Sequence, residues 1–152
     1  MSTVAWDGRG HSIAADRQAT CNDQAFTCTK IWKLASGEVV AATGYASSAQ
    51  AMVRWYESGA DPAHFPECQK SDDLWTRLIV ARRGWCGFYE RHPFVVQVED
   101  PFAAWGSGSS FALGALAQGA TARKAVEIAS MFDINSGRGI DSFDLYHPGC
   151  GG

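Results

Sequence analysis

The order of apolar runs and turn residues constrains this chain more than any single motif. Stretches 2–6 and 11–15 are short apolar runs split by Asp7-Gly8-Arg9-Gly10, residues that tolerate the positive φ of a hairpin, so the chain begins in two paired strands. A second pair follows: 28–34 alternates in character, Ser36-Gly37 turns the chain, and 38–43 is apolar. Four strands are therefore expected ahead of the first helix. That helix is predicted over 47–58, because Ala49, Met52, Val53 and Tyr56 recur at helical spacing and Gly59 can end it.

Stretch 59–72 turns to Pro, His, Asp and Ser and reads as the longest loop. Three more strands are expected at 74–81, 85–91 and 94–98, with Arg83-Gly84 and His92-Pro93 between them. Gly106-Ser107-Gly108 opens an apolar helical segment to about 118, whose Phe111, Ala112, Leu113, Ala115 and Leu116 predict burial on nearly every side. Thr121 caps a further helix to Phe132, with Ala122, Ala125, Val126, Ala129 and Phe132 inward, and 140–145 supplies a last strand. The order of strands, helix, strands, helices predicts an α+β fold with two antiparallel sheets between helical layers. A single domain over 1–146 is expected, with a Gly-rich, mobile tail at 147–152.

Charge and cysteine usage exclude several functions. A net charge of -3 offers no basic face for nucleic acid or an anionic membrane, and Arg82-Arg83 reads as strand-end solvation. Cys21, Cys28, Cys68, Cys86 and Cys150 contain no CxxC pair, so they are expected to be free thiols in a reducing compartment. His11, His64, His92 and His147 lack metal-ligand spacing, and no metal or cofactor is assigned. Trp32, Trp75 and Trp85 sit in strand patterns and are expected to pack in the core, while Trp55 is a candidate for a subunit contact. The sequence opens with no basic region followed by an apolar stretch, and it contains no run long enough to span a bilayer; a cytoplasmic location is the expectation.

Several ordered pieces carry a resemblance. They are Met1-Ser2-Thr3-Val4-Ala5, Ala14-Ala15-Asp16-Arg17-Gln18-Ala19-Thr20, Lys30-Ile31-Trp32-Lys33-Leu34, Ala42-Thr43-Gly44, the Gly106–Gly114 stretch GSGSSFALG and the Phe132–Gly137 stretch FDINSG. Together they make the chain resemble the proteasome β-subunit family, including the bacterial two-component HslV type, in a short form. The resemblance implies the N-terminal-nucleophile hydrolase fold, a four-layer αββα sandwich.

It also implies amide-bond cleavage through an acyl-enzyme on Ser2, exposed by removal of Met1 without a longer propeptide. Thr3 is the alternative nucleophile. A serine hydroxyl is a poor nucleophile at neutral pH and needs a base; a free α-amine, with a pKa of roughly 7.7–8.0, can serve as that base. The family typically begins with threonine, so serine is a departure here.

By the same resemblance Lys30 and Asp16 place positive charge beside the nucleophile, Gly44 donates its N–H to the oxyanion, and Ser107, Asp133 and Ser136 support the amine. The implied partners are a peptide or protein substrate, further copies of this chain in a homo-oligomer or ring, and a separate unfoldase. Stretch 59–73 is shorter than its family counterpart and carries Pro62 and Pro66 where a second long helix stands there. Two other readings use the same fold: an inactive assembly subunit, and a module binding a small molecule in its cleft.

Overall fold

The structure, a computed structural model, describes residues 2–145. Met1 and the predicted tail at 147–152, with His147 and Cys150, lie outside the described residues.

Strands β1 (Val4–Asp7) and β2 (Ser12–Asp16) form the expected hairpin, in the register Val4↔Ala15 to Asp7↔Ser12. They are flanked by β10 (Phe102–Trp105) and β11 (Ile140–Asp144) in an antiparallel sheet of order β10-β1-β2-β11. A five-stranded antiparallel sheet runs β5 (Ile31–Lys33), β6 (Val39–Gly44), β7 (Thr76–Arg82), β8 (Trp85–Tyr89), β9 (Val96–Gln97). Between the hairpin and β5, strands β3 (Gln18–Cys21) and β4 (Gln24–Thr27) form a two-stranded hairpin of their own.

Alternation along the strands assigns each side chain its core. Val4, Trp6, Ile13 and Ala15 pack against Ile31, Val39, Ala41, Ile79, Ala81 and Cys86 of the five-stranded sheet. One residue along, Ala5 and Ala14 point the other way, onto Ala112 and Leu116 of α2 (Ser109–Ala117) and Ala122, Ala125, Val126 and Ala129 of α3 (Ala122–Phe132). The neighbours of Ala41 and Ile79, namely Val40, Leu78 and Val80, meet Met52, Val53 and Trp55 of α1 (Ala46–Glu57). Thr121 caps α3 as expected, its hydroxyl accepting from Lys124 N–H at 3.1 Å.

The structure departs from the sequence reading at several points. Six strands, not four, precede α1, because β3 and β4 pair through Gln, Ala and Thr residues that give no apolar alternation. The strand expected over 28–34 shrinks to Ile31–Lys33, since Cys28 N–H donates to Arg17 O at 2.8 Å. Strand β10 has no counterpart in the sequence reading. The 59–72 loop contains two 3-10 turns, Pro62–His64 and Glu67–Lys70.

Only Ala112 and Leu116 of α2 are buried, while Phe111 and Leu113 face outward, because the helix packs on β10, β1 and α3 from one side. Phe132 is 61% exposed rather than inward; it stacks on Phe111 with ring centroids 5.5 Å apart. Trp55 is buried instead of presented to a neighbour, its Nε1 donating to Asp61 O at 2.8 Å and its ring edge-on to Phe65 and Tyr89. Trp32, Trp75 and Trp85 are half-buried. Arg82 lies over the Trp85 ring and pairs with Glu38 at 3.1 Å, while Arg83 is exposed.

Candidate active site

A cleft of about 510 Å³ opens beside the first residue of the described chain, and Ser2, Lys30, Gly44, Phe26 and Thr76 are among its lining residues. Strand pairing explains the gathering. Ser2 and Thr3 lead into β1, Asp16 ends β2, Lys30 leads into β5 and Gly44 ends β6. The β3–β4 hairpin forms one wall through Ala19, Thr20, Cys21 and Phe26.

Asp16 is fully buried and is the hub of this corner. Its Oδ1 accepts from Lys30 Nζ at 2.8 Å and from Thr3 N–H at 3.0 Å. Its Oδ2 accepts from the backbone N–H groups of Gln18 at 3.1 Å and Gly137 at 3.0 Å. Lys30, only 7% exposed, is therefore an ammonium taken out of water and held by a carboxylate whose other lone pairs are satisfied, the condition under which a buried pair is tolerated.

Behind Ser2 stands a chain of hydroxyls. The Ser2 carbonyl accepts from Gly108 N–H at 3.3 Å, and Ser107 Oγ lies 3.4 Å from it. Asp133 Oδ2 accepts from Ser107 Oγ at 2.7 Å and Ser136 Oγ at 2.6 Å, while its Oδ1 accepts from Asn135 N–H at 3.2 Å. Burial pushes the Asp133 carboxyl up, but the Ser136 and Ser107 hydroxyls and the Asn135 N–H outweigh it and hold the group below the usual carboxylate range.

Thr3 Oγ1 lies 2.7 Å from Ser136 Oγ. Because Ser136 gives its only hydroxyl proton to the ionised Asp133, Thr3 must be the donor in this contact, and its proton points away from the cleft. Thr3 is also fully buried. Ser2 is also buried, at 3% exposed, but it lines the cleft.

All of the residues singled out from sequence are thus in one neighbourhood: Ser2, Lys30 and Gly44 at the cleft, Asp16 beneath Lys30, and Ser107, Asp133 and Ser136 behind the Ser2 carbonyl. Two glycines missed as site residues make this fit. Gly106, at φ +97°, passes so close to the Ser2 carbonyl that a methyl group there would overlap it, and a methyl on Gly108 would overlap the Thr3 hydroxyl. Thr76, across the sheet from Gly44, was also missed; an isolated threonine in a strand gives no signal.

No family model matches the sequence, and a search of curated proteins finds no match. Solved structures do match. HslV from Trypanosoma brucei superposes with a TM-score of 0.74 at 23% identity, over 95% of this chain and 99% of that one. BPH from Thiobacillus denitrificans, in complex with epoxomicin, gives 0.71 at 21% identity, over 95% and 100%; a second BPH structure gives 0.67 at 21%, over 95% and 98%. At these identities the likeness is one of fold: the chain has the mixed α/β, antiparallel-sheet architecture of HslV and BPH.

Proposed function

We propose that this chain is a proteasome-like N-terminal-nucleophile hydrolase of the HslV type, cleaving amide bonds of peptides or proteins through Ser2 once Met1 has been removed. The observation that carries this reading is the Ser2 corner itself: a cleft-lining serine beside a buried Lys30–Asp16 pair, backed by the Ser107–Asp133–Ser136 chain. The fold shared with HslV and with the epoxomicin-bound BPH supports it. On this reading the three apolar cores are those of a four-layer αββα sandwich.

In the mechanism, Ser2 Oγ attacks the scissile carbonyl and its proton passes to the Ser2 α-amine, directly or through one water. The nearby Lys30 charge disfavours protonation of that amine before the attack, because a like charge opposes a second one. The Gly44 N–H receives the developing oxyanion. Collapse of the tetrahedral intermediate releases the amine fragment, which takes the proton, and leaves an ester on Ser2 Oγ. Water, activated by the same amine, hydrolyses the ester. The buried hydroxyl of Thr3, committed to Ser136, makes Thr3 the weaker candidate.

The proposed assembly is a homo-oligomer, supported by the apolar group Phe111, Leu113, Met131, Phe132 and Ile134, all more than a third exposed. A separate unfoldase would deliver folded substrates to such an oligomer. The four described cysteines are free, which fits a reducing, cytoplasmic setting, and among the described residues no helix is long and apolar enough to cross a membrane.

Intact mass measurement, with turnover of small peptide amides by the protein and by Ser2→Ala, tests the proposal. Loss of the Met1 mass together with Ser2-dependent turnover is the expected result. Quantitative retention of Met1 without hydrolysis would favour the inactive assembly subunit instead.

A further inference from the structure

We infer that Thr76, backed by Gln69, is a positioning residue that fixes the peptide unit carrying the Gly44 N–H. The inference rests on the reading of Gly44 as the oxyanion donor.

Thr76 Oγ1 donates to the carbonyl oxygen of Thr43 at 2.8 Å. That carbonyl belongs to the same planar peptide unit as the Gly44 N–H. In a trans peptide the C=O and N–H point in opposite directions, and the described chain holds no cis bonds. A hydroxyl that draws the Thr43 oxygen toward β7 therefore turns the Gly44 N–H away from β7, to the side where β5 and Lys30 pass. The bond also polarises the peptide and makes its N–H a better donor. At φ +117°, Gly44 has more backbone freedom than any side-chain-bearing residue would, so its orientation needs an external hold. Contact is already close: a methyl on Gly44 would meet Trp75 O at 2.8 Å and Thr76 Cα at 3.0 Å.

Thr76 is in turn held by the loop after α1. Gln69, fully buried in the second 3-10 turn, accepts from Thr76 N–H at 2.9 Å and donates from Nε2 to Thr76 O at 2.7 Å and Glu90 O at 2.5 Å. One amide side chain thus serves both backbone groups of Thr76, as a neighbouring strand would. Arg91 fastens the turn itself, its Nε donating to Gln69 O at 3.3 Å and its guanidinium to Lys70 O at 2.9 Å. Two parallel ties join the same segments: Ser48 Oγ donates to Leu74 O, and Tyr45 N–H donates to Trp75 O at 3.4 Å. The Pro-rich loop is therefore built into the wall that supports the Thr43–Gly44 peptide.

The test compares Thr76→Val, Thr76→Ser and Gln69→Leu, all with the processed N-terminus. Thr76→Val keeps the shape and removes the hydroxyl, and is expected to lower kcat about tenfold with KM nearly unchanged, less than the roughly 10²–10³ of losing a whole donor. Thr76→Ser, which keeps the hydroxyl, should restore kcat; Gln69→Leu should follow Thr76→Val. Binding of a peptide aldehyde, whose hemiacetal with Ser2 presents an oxygen to Gly44, should weaken in parallel. A second readout needs no catalysis: the backbone order parameter of the Gly44 amide, from NMR relaxation, should fall in Thr76→Val and Gln69→Leu but not in Thr76→Ser. An unchanged Gly44 order parameter, or a Thr76→Ser variant as impaired as Thr76→Val, would overturn the assignment of Thr76. Absence of turnover in the unsubstituted protein, with the Gly44 order parameter altered as expected, would instead overturn the amidase reading and leave the Thr76 hold on this peptide standing.

Discussion

Lys30 Nζ and Asp16 Oδ1 lie 2.8 Å apart, and the same oxygen accepts the Thr3 N–H. One carboxylate oxygen thus joins the cation at the cleft to the backbone of the residue that follows Ser2. The two partners are not equivalent, because Asp16 also accepts from Gln18 and Gly137.

Asp16→Ala should therefore destabilise the fold by about 3–5 kcal/mol, since it removes the carboxylate from a buried ion pair and leaves three backbone donors unserved at once. Lys30→Met keeps the carboxylate served by backbone N–H groups and should cost less stability while abolishing turnover. Urea unfolding of both variants, alongside their activity, separates the two roles; equal destabilisation would contradict the hub description of Asp16.

Asp133 sets an acid limit. Its carboxyl is held below the usual value near 3.8, so the stabilisation it provides is complete above that pH and is lost as pH falls through the lower, folded value. Thermal melts from pH 5 downward should show the unsubstituted protein losing stability faster than Asp133→Asn. Parallel curves would mean that Asp133 does not contribute to the acid transition.

Gly106→Ala should damage the site from within the backbone. A positive φ is strained by about 1–3 kcal/mol in a residue with a side chain, and the added methyl would press on the Ser2 carbonyl. Loss of turnover of more than about tenfold is expected from such a displacement. Gly114→Ala, in an exposed turn of α2 with open space around it, is the control; it should be neutral or stabilising by up to about 1 kcal/mol.

Thiol labelling should resolve the cysteines by depth. Cys86 is fully buried, and burial pushes its thiol up to about 12, so it should react only on unfolding. Among the described cysteines Cys21, exposed on the cleft wall, should react first, and Cys28 and Cys68 after it. Rapid labelling of Cys86 in the folded protein would contradict the packing between the two sheets.

The central strands were legible in the sequence because burial on both faces leaves short apolar runs between turn residues: the β1–β2 hairpin, β6, β7 and β8 all stand close to where those runs put them. The β3–β4 hairpin was not, since it is largely exposed and its Gln, Ala and Thr residues leave no period to read. Its turn did leave a trace, in that Asn22 and Asp23, types suited to positive φ, adopt φ 48° and 64°. Helix α2 misled through composition: Phe111 and Leu113 are apolar yet face outward, because the helix has neighbours on one side only, so an apolar circumference did not mean burial. For the site, Ser2, Asp16, Lys30 and Gly44 were legible through resemblance, whereas Thr76 and Gln69 act through contacts between segments that only folding brings together.

The anchoring of Ser2 also dictates how the protein has to be produced. Its carbonyl accepts from Gly108 N–H, and the residue lines the cleft. A purification tag fused ahead of Ser2 would start at the cleft wall and would block the amine that the proposed chemistry requires. A fusion whose cleavage leaves Ser2 as the first residue gives the material on which every measurement above depends, and an uncleaved tag gives a matched inactive control from the same preparation.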